Sequence, residues 1–350
     1  MIFDSVLETI GRTPMVRLRR VTVPNGSQIL VKLEGFNPAG SIKDRTALSM
    51  VVQAERDGRL RPHGTIVESS SGNTGKGLAL VGAAKGYRVI LVTDPKAPRS
   101  MLDCVQALGA EIQVVDTPDE NGYQGPRLER VRKLLAEMPD AFWPNQYDNP
   151  DNPRIHAEVT ARELLADLPS FDALVVAVGT GGHISGLAET VKRELPDAVT
   201  IGVDAKGSAA FGFPYESWVM RGLGIAWVPG NLRSELVDLV HLVADGEGIA
   251  TSRLLARTEG LLVGESAGAA VFAALHYAHQ HPGSTVAVVA PDDGVNYLGE
   301  SFDDGWLADH GLAEDVARLS DVESLVTAAR QPAYPAAPLD RIPRPQLVTR

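Results

Sequence analysis

Short runs rich in β-branched residues, at 28–33, 65–68, 88–93, 111–115, 173–178, 199–204 and 285–290, alternate with helical stretches such as 74–86, 127–138, 155–165 and 185–194. Most of the runs are continuously apolar rather than alternating, as in parallel strands covered on both faces. The rhythm predicts βαβ units and an open α/β sheet. A chain of 350 residues should form about two domains. The Pro- and Asn-rich segment 145–153 reads as a crossing between two lobes.

Charge and cysteine content narrow the partners. A formal net charge of -11 argues against nucleic acid or an anionic membrane. The single cysteine, Cys104, rules out a disulfide framework, fits a reducing cytosol and reads as a small buried apolar residue. The start of the chain lacks the pattern of a signal peptide. No apolar run approaches the roughly 20 residues of a spanning helix, so a soluble, cytoplasmic protein is expected. Residues 331–345 are Pro-rich and read as an extended arm or a disordered tail without chemistry.

Three loops carry the chemistry. Asn37-Pro38-Ala39-Gly40-Ser41-Ile42-Lys43 sets a lysine behind a Gly-Ser turn, where an amine with a depressed pKa is a carbonyl nucleophile. Ser69-Ser70-Ser71-Gly72-Asn73-Thr74-Gly75 follows a strand and opens a helix. Its hydroxyls and N–H groups suit a carboxylate, or simply cap the helix. Gly179-Thr180-Gly181-Gly182-His183 joins a strand to a helix N-terminus, which suits a phosphate or makes only a tight turn. Asp204 closes the next strand, as a ribose-binding acid would in a dinucleotide fold. The glycines break that fingerprint, because Ile184 stands at the third glycine position of G-x-G-x-x-G.

Together with Thr9-Ile10-Gly11-Arg12-Thr13-Pro14, Asn145-Gln146-Tyr147, Gly264-Glu265-Ser266-Ala267-Gly268 and Pro291-Asp292-Asp293-Gly294, these loops occur in the order seen in cysteine synthases. The chain resembles that family, with the cystathionine β-synthases, over residues 4–307. The resemblance implies a fold type II pyridoxal 5'-phosphate enzyme, similar to the tryptophan synthase β subunit, with two open, mostly parallel twisted sheets and flanking helices. It implies a larger cofactor domain of residues 1–48 and 153–312, a smaller movable domain of residues 49–152, and a C-terminal extension of residues 313–350.

Residue by residue, the resemblance gives Lys43 the Schiff base and Asn73 the cofactor's 3-oxygen. Gly179, Thr180, Gly181, Gly182 and His183 would cradle the phosphate, and Ser266 would face the ring nitrogen. A serine there leaves that nitrogen largely unprotonated, which favours loss of a β-leaving group. Ser70, Ser71, Gly72 and Thr74, with Gln146 and Gly222, would hold the substrate. Implied is β-replacement on an activated L-serine through α-aminoacrylate, Lys43 being the base, in a homodimer acting on small amino-acid substrates.

His183 stands where the family usually has threonine, and would either donate to the phosphate while titrating near neutrality or only fill space; Lys76 replaces an apolar residue, and Glu265 replaces an isoleucine or similar. Arg221 replaces a frequent glutamine and would either bind a phosphate leaving group, implying O-phospho-L-serine, or be a solvated surface charge. The segments Val203-Asp204-Ala205-Lys206-Gly207-Ser208 and Asp140-Ala141-Phe142-Trp143 are similar to N-(2-amino-2-carboxyethyl)-L-glutamate synthases, on the way to 2,3-diaminopropionate. The acceptor expected is then an amine such as L-glutamate, and the alternative is a cysteine synthase. A nicotinamide oxidoreductase and a non-catalytic homologue are the other classes considered.

Overall fold

The computed structural model describes residues 2–119, 122–328 and 334–335. Five parallel strands form the middle of the larger sheet: β2 (Gln28–Leu33), β6 (Ala173–Ala177), β7 (Val199–Ala205), β8 (Leu239–Val243) and β9 (Thr285–Ala290). The edge strands β1 (Met15–Arg17) and β10 (Tyr334–Pro335) add antiparallel and give seven strands in the order β1-β2-β9-β6-β7-β8-β10. A second sheet is built from β3 (Thr65–Ser69), β4 (Arg88–Thr93) and β5 (Glu111–Val114), all parallel. The seven strands read from the sequence are all present, with every boundary correct to within one residue. The sequence reading passed over β1 and β8: one is three residues long, and the other carries His241 in its middle.

Both faces of the larger sheet are covered, which explains the unbroken apolar runs. Every residue of β6 is buried. On one face lie the helices Asp245–Glu259 and Glu265–Gln280, with Val316, Leu319 and Leu325 of the following segment packed against them. The other face carries Ala161–Asp167 and Gly182–Glu194. Gly268 lets the first pair of helices approach, since a Cβ there would collide with the Gly248 carbonyl and Ser252. The helices Ala313–Arg318 and Val322–Ala328 are therefore part of the packed body. The stretch 331–345 lies outside the described residues except for the two that form β10.

Four loops leave the carboxyl ends of strands: 34–42 after β2, 70–72 after β3, 178–181 after β6 and 291–294 after β9. Because β9 lies between β2 and β6, three of them start side by side, and open α/β sheets bind ligands in this crevice. Among the described residues no helix is long and apolar enough to cross a membrane.

Candidate active site

Lys43 begins the helix Lys43–Arg56, and its position is set by the loop before it. Gly40 has φ +86°, and a Cβ there would collide with the Asp293 carboxylate. Backbone pairing then ties the loop to the segment after β9: Ile42 N donates to Pro291 O at 2.8 Å, and Ser41 bridges Asp292. Two residues along, Arg45 is held by Glu34 and Glu163 at 2.6 Å each, which anchors the first helical turn. Lys43 reaches solvent only through the cavity it lines. Desolvation draws its amine down to about 8, against the neighbouring Asp292 carboxylate, which raises it. A lysine so placed has a substantial unprotonated fraction near neutrality.

The serine loop opens the helix Asn73–Lys85 and splits its hydroxyls between two roles. Ser70 Oγ accepts from Gly75 N at 3.0 Å and from Gly72 N at 3.3 Å, so it caps its own helix. Ser71 Oγ accepts from Arg127 Nη1 at 2.8 Å. Thr74 Oγ1 donates to Gln146 Oε1 at 2.6 Å, which brings Gln146 onto the same wall. Gln146 N in turn donates to Glu68, a buried carboxyl that also accepts from Trp143 and that burial pushes up to about 7.

The glycine loop after β6 is shaped by close contacts. Gly181 has φ +79°, and a Cβ there would lie 2.7 Å from Leu232; one on Gly182 would collide with Asn152. Asn152 Nδ2 donates to Thr180 Oγ1 at 3.1 Å. His183, on the first turn of the helix Gly182–Glu194, keeps a buried Nε2 without a partner among the described residues. Burial first, then Lys43 and Arg45, draw its pKa down to about 3. The expected titration near neutrality is thus corrected: this imidazole is neutral and donates only through its one N–H.

Opposite stands Ser266, second residue of the helix Glu265–Gln280, with a buried Oγ that has no partner among the described residues. Gly222 has φ +81°, and a Cβ there would press to 3.0 Å from that hydroxyl. Glu265 turns away from the cavity, accepts from Arg221 N and is pushed up to about 7 by burial.

One cavity of about 240 Å³ brings together Lys43, the 70–74 loop, Gln146, Gly179, Thr180, Gly181, His183, Gly222 and Ser266. Gly182 lies just behind it at the helix start. Arg221 lines a neighbouring cavity, which it shares with Ser71, Gly72, Asn73 and Gly222. Its guanidinium lies 2.9 Å from Glu300 and donates to the Lys96 carbonyl at 2.9 Å, so its charge is already matched. Sequence reasoning missed Arg127 and Asp292 as site residues. Arg127 is buried on the helix Gln124–Glu137, pairs with Asp94 at 2.7 Å, lines the main cavity and has a buried Nε without a partner among the described residues. Its helix reads as a charged surface helix; the one signal was an arginine following Gly125-Pro126. Asp292 is the one carboxylate among the described residues lining the cavity.

These residues fit a flat, phosphorylated aldehyde ring. One cavity gathers the Lys43 amine, a Ser266 hydroxyl without a partner among the described residues, and a glycine cradle at a helix start.

Comparison with known proteins agrees. The pyridoxal-phosphate dependent enzyme family matches residues 6–292. The N-(2-amino-2-carboxyethyl)-L-glutamate synthase of Cupriavidus metallidurans is 39% identical over 338 residues, covering 94% of this chain and 99% of that one. The cystathionine β-synthase of Dictyostelium discoideum is 37% identical over 330 residues, 92% of this chain, which spans only 66% of that longer protein. In three dimensions, the cysteine synthase of Entamoeba histolytica superposes with a TM-score of 0.83 at 34% identity, over 91% of this chain and 96% of that one. With its lysine, serine loop and glycine cradle on one crevice, this chain belongs to the pyridoxal-phosphate dependent enzymes of the cysteine synthase and cystathionine β-synthase group.

Proposed function

We propose that this chain replaces the β-substituent of O-phospho-L-serine with an amine such as L-glutamate, giving a precursor of 2,3-diaminopropionate. The coarser activity comes with the family: it is a pyridoxal-phosphate-dependent β-substituting enzyme acting on serine derivatives. Bound pyridoxal phosphate supplies the electron sink that acidifies the serine Cα–H and frees the β-substituent. The rest falls to the chain's own residues. Lys43 would hold the cofactor's aldehyde carbon and, as a free amine, would take the substrate's Cα proton on Nζ. Ser71, Gly72 and Thr74, with Gln146 braced on Thr74, orient the substrate carboxylate, while Ser70 keeps their loop in shape. Ser266 offers the ring nitrogen a neutral hydroxyl. The glycine cradle, with His183 as a neutral donor, holds the cofactor's phosphate.

The choice of donor rests on Arg127. A buried guanidinium lining the cavity that holds Lys43 suits a phosphate leaving group better than an acetyl group. The acceptor reading rests on the likeness to the glutamate-using synthase. Residues 49–152 are read as a lobe that closes over the substrate and excludes water.

The test is to supply O-phospho-L-serine and O-acetyl-L-serine separately, each with glutamate and sulfide competing, and to identify products by mass. The amino-carboxyethyl glutamate adduct should dominate with phosphoserine. Cysteine as the main product from either donor would make the chain a cysteine synthase.

We also read the protein as a cytoplasmic homodimer. Exposed Phe36, Leu262, Val295 and Leu298 come from loops that touch where Gly35 meets Asp293 and Gly294 meets Leu262, an apolar surface that a second copy would cover. Light scattering at twice the chain mass supports this reading, and the single-chain mass refutes it.

A further inference from the structure

Asn73 sits at the mouth of the helix Asn73–Lys85 and lines the cavity with one end of its side chain. The other contacts of its amide form a chain with a fixed direction. Lys76 Nζ donates to Asn296 Oδ1 at 3.5 Å, Asn296 Nδ2 donates to Asn73 Oδ1 at 3.3 Å, and Asn73 Nδ2 donates to Asp292 Oδ2 at 2.7 Å. Tyr297 OH donates to the same carboxylate oxygen at 2.6 Å. A lysine ammonium has only donors and an ionised carboxylate only acceptors, so the two ends determine how both amides between them face. A flipped Asn73 would set its carbonyl against the Asp292 carboxylate and its N–H against another N–H.

The backbone around this chain is equally constrained. Asp293 N donates to Gly40 O at 3.2 Å, and Gly264 N donates to Asp292 O at 3.3 Å. Asp292 thus stands where the segments bearing Lys43, Asn73 and Ser266 meet. Lys76 is buried and replaces the apolar residue usual at its position, and the chain of amides gives it a task.

We propose that Lys76, acting through Asn296, and Asp292, in direct contact, are positioning residues that hold the Asn73 amide in one orientation, so that its second Nδ2–H is presented to the 3-oxygen of bound pyridoxal phosphate. This rests on the cofactor occupying the cavity as described above. A ring oxygen with phenolate character needs a donor, and an amide free to flip would offer it a carbonyl for part of the time.

The test is a double-mutant cycle on the holoenzyme, read by equilibrium dialysis of pyridoxal phosphate and by the position of the visible absorbance band. Asn73→Ala and Asp292→Asn should each weaken retention about tenfold, the size of one charge-assisted hydrogen bond, and shift the band in the same direction. The double variant should be no worse than Asn73→Ala alone. Lys76→Met should shift the band the same way, by less, and only while Asn73 is present. Additive losses in the double variant, or a Lys76→Met shift that persists in Asn73→Ala, would overturn the proposal. Should Asp292→Asn fail to fold, as judged by circular dichroism, the Lys76→Met and Asn73→Ala pair decides the matter from the other end. A wild-type protein that retains no pyridoxal phosphate would instead overturn the cofactor reading, and this proposal with it.

Discussion

Arg127 Nη1 donates to Ser71 Oγ at 2.8 Å, joining a helix of the smaller sheet to the loop that leads into Asn73. The same nitrogen is 2.7 Å from Asp94 Oδ2, so one carboxylate holds the guanidinium in place on the cavity wall. Such an arrangement couples whatever anion meets Arg127 to the position of the serine loop.

Replacing Arg127 by Ala should therefore raise the KM for O-phospho-L-serine by roughly ten- to a hundredfold, about 1.4–2.8 kcal/mol, while O-acetyl-L-serine is used almost as before. Steady-state kinetics with both donors measure this. Equal losses with both would mean that Arg127 only stabilises the loop. Arg221→Ala is the control, and its effect on the two donors should be equal because Glu300 already matches its charge.

Ser266 is neutral and has no partner among the described residues, and an aspartate in its place would protonate the ring nitrogen. Ser266→Asp should slow release of the donor's leaving group by roughly one to two orders of magnitude, or about 1.4–2.8 kcal/mol in barrier. Rapid-quench detection of inorganic phosphate checks it. A rate within twofold of the parent would place Ser266 away from the ring.

The pH dependence of cofactor uptake follows from Lys43. Only the unprotonated amine attacks the aldehyde, and burial brings the amine down to about 8 in the cofactor-free protein. The rate of reconstitution of apoprotein with pyridoxal phosphate should rise with pH and level off above about 8. A rise continuing to the ordinary lysine range near 10.4 would show that Lys43 is not desolvated as described.

The fold was legible because burial on both faces leaves an uninterrupted record in strands such as 173–178 and 285–290. Edge strands leave a weaker one: Met15–Arg17 is half exposed and three residues long, too short for a period to register. The site was legible to the extent that it is built from contiguous loops, in which glycines and hydroxyls sit next to the residues they serve. Arg127 escaped because its meaning depends on Asp94 and Ser71, 33 and 56 positions away. In the same way, nothing local reveals that Arg221 pairs with Glu300, 79 positions on. Lys76 looked like an anomaly until Asn296 and Asp292 stood beside it.

Borohydride reduction of the yellow holoenzyme, followed by peptide mapping, tests the central claim most directly. The account predicts that the reduced pyridoxyl group sits on Lys43, and that Lys43→Ala abolishes the absorbance that borohydride bleaches. A pyridoxyl group on Lys76 or any other lysine, or a protein that binds no pyridoxal phosphate, would contradict it.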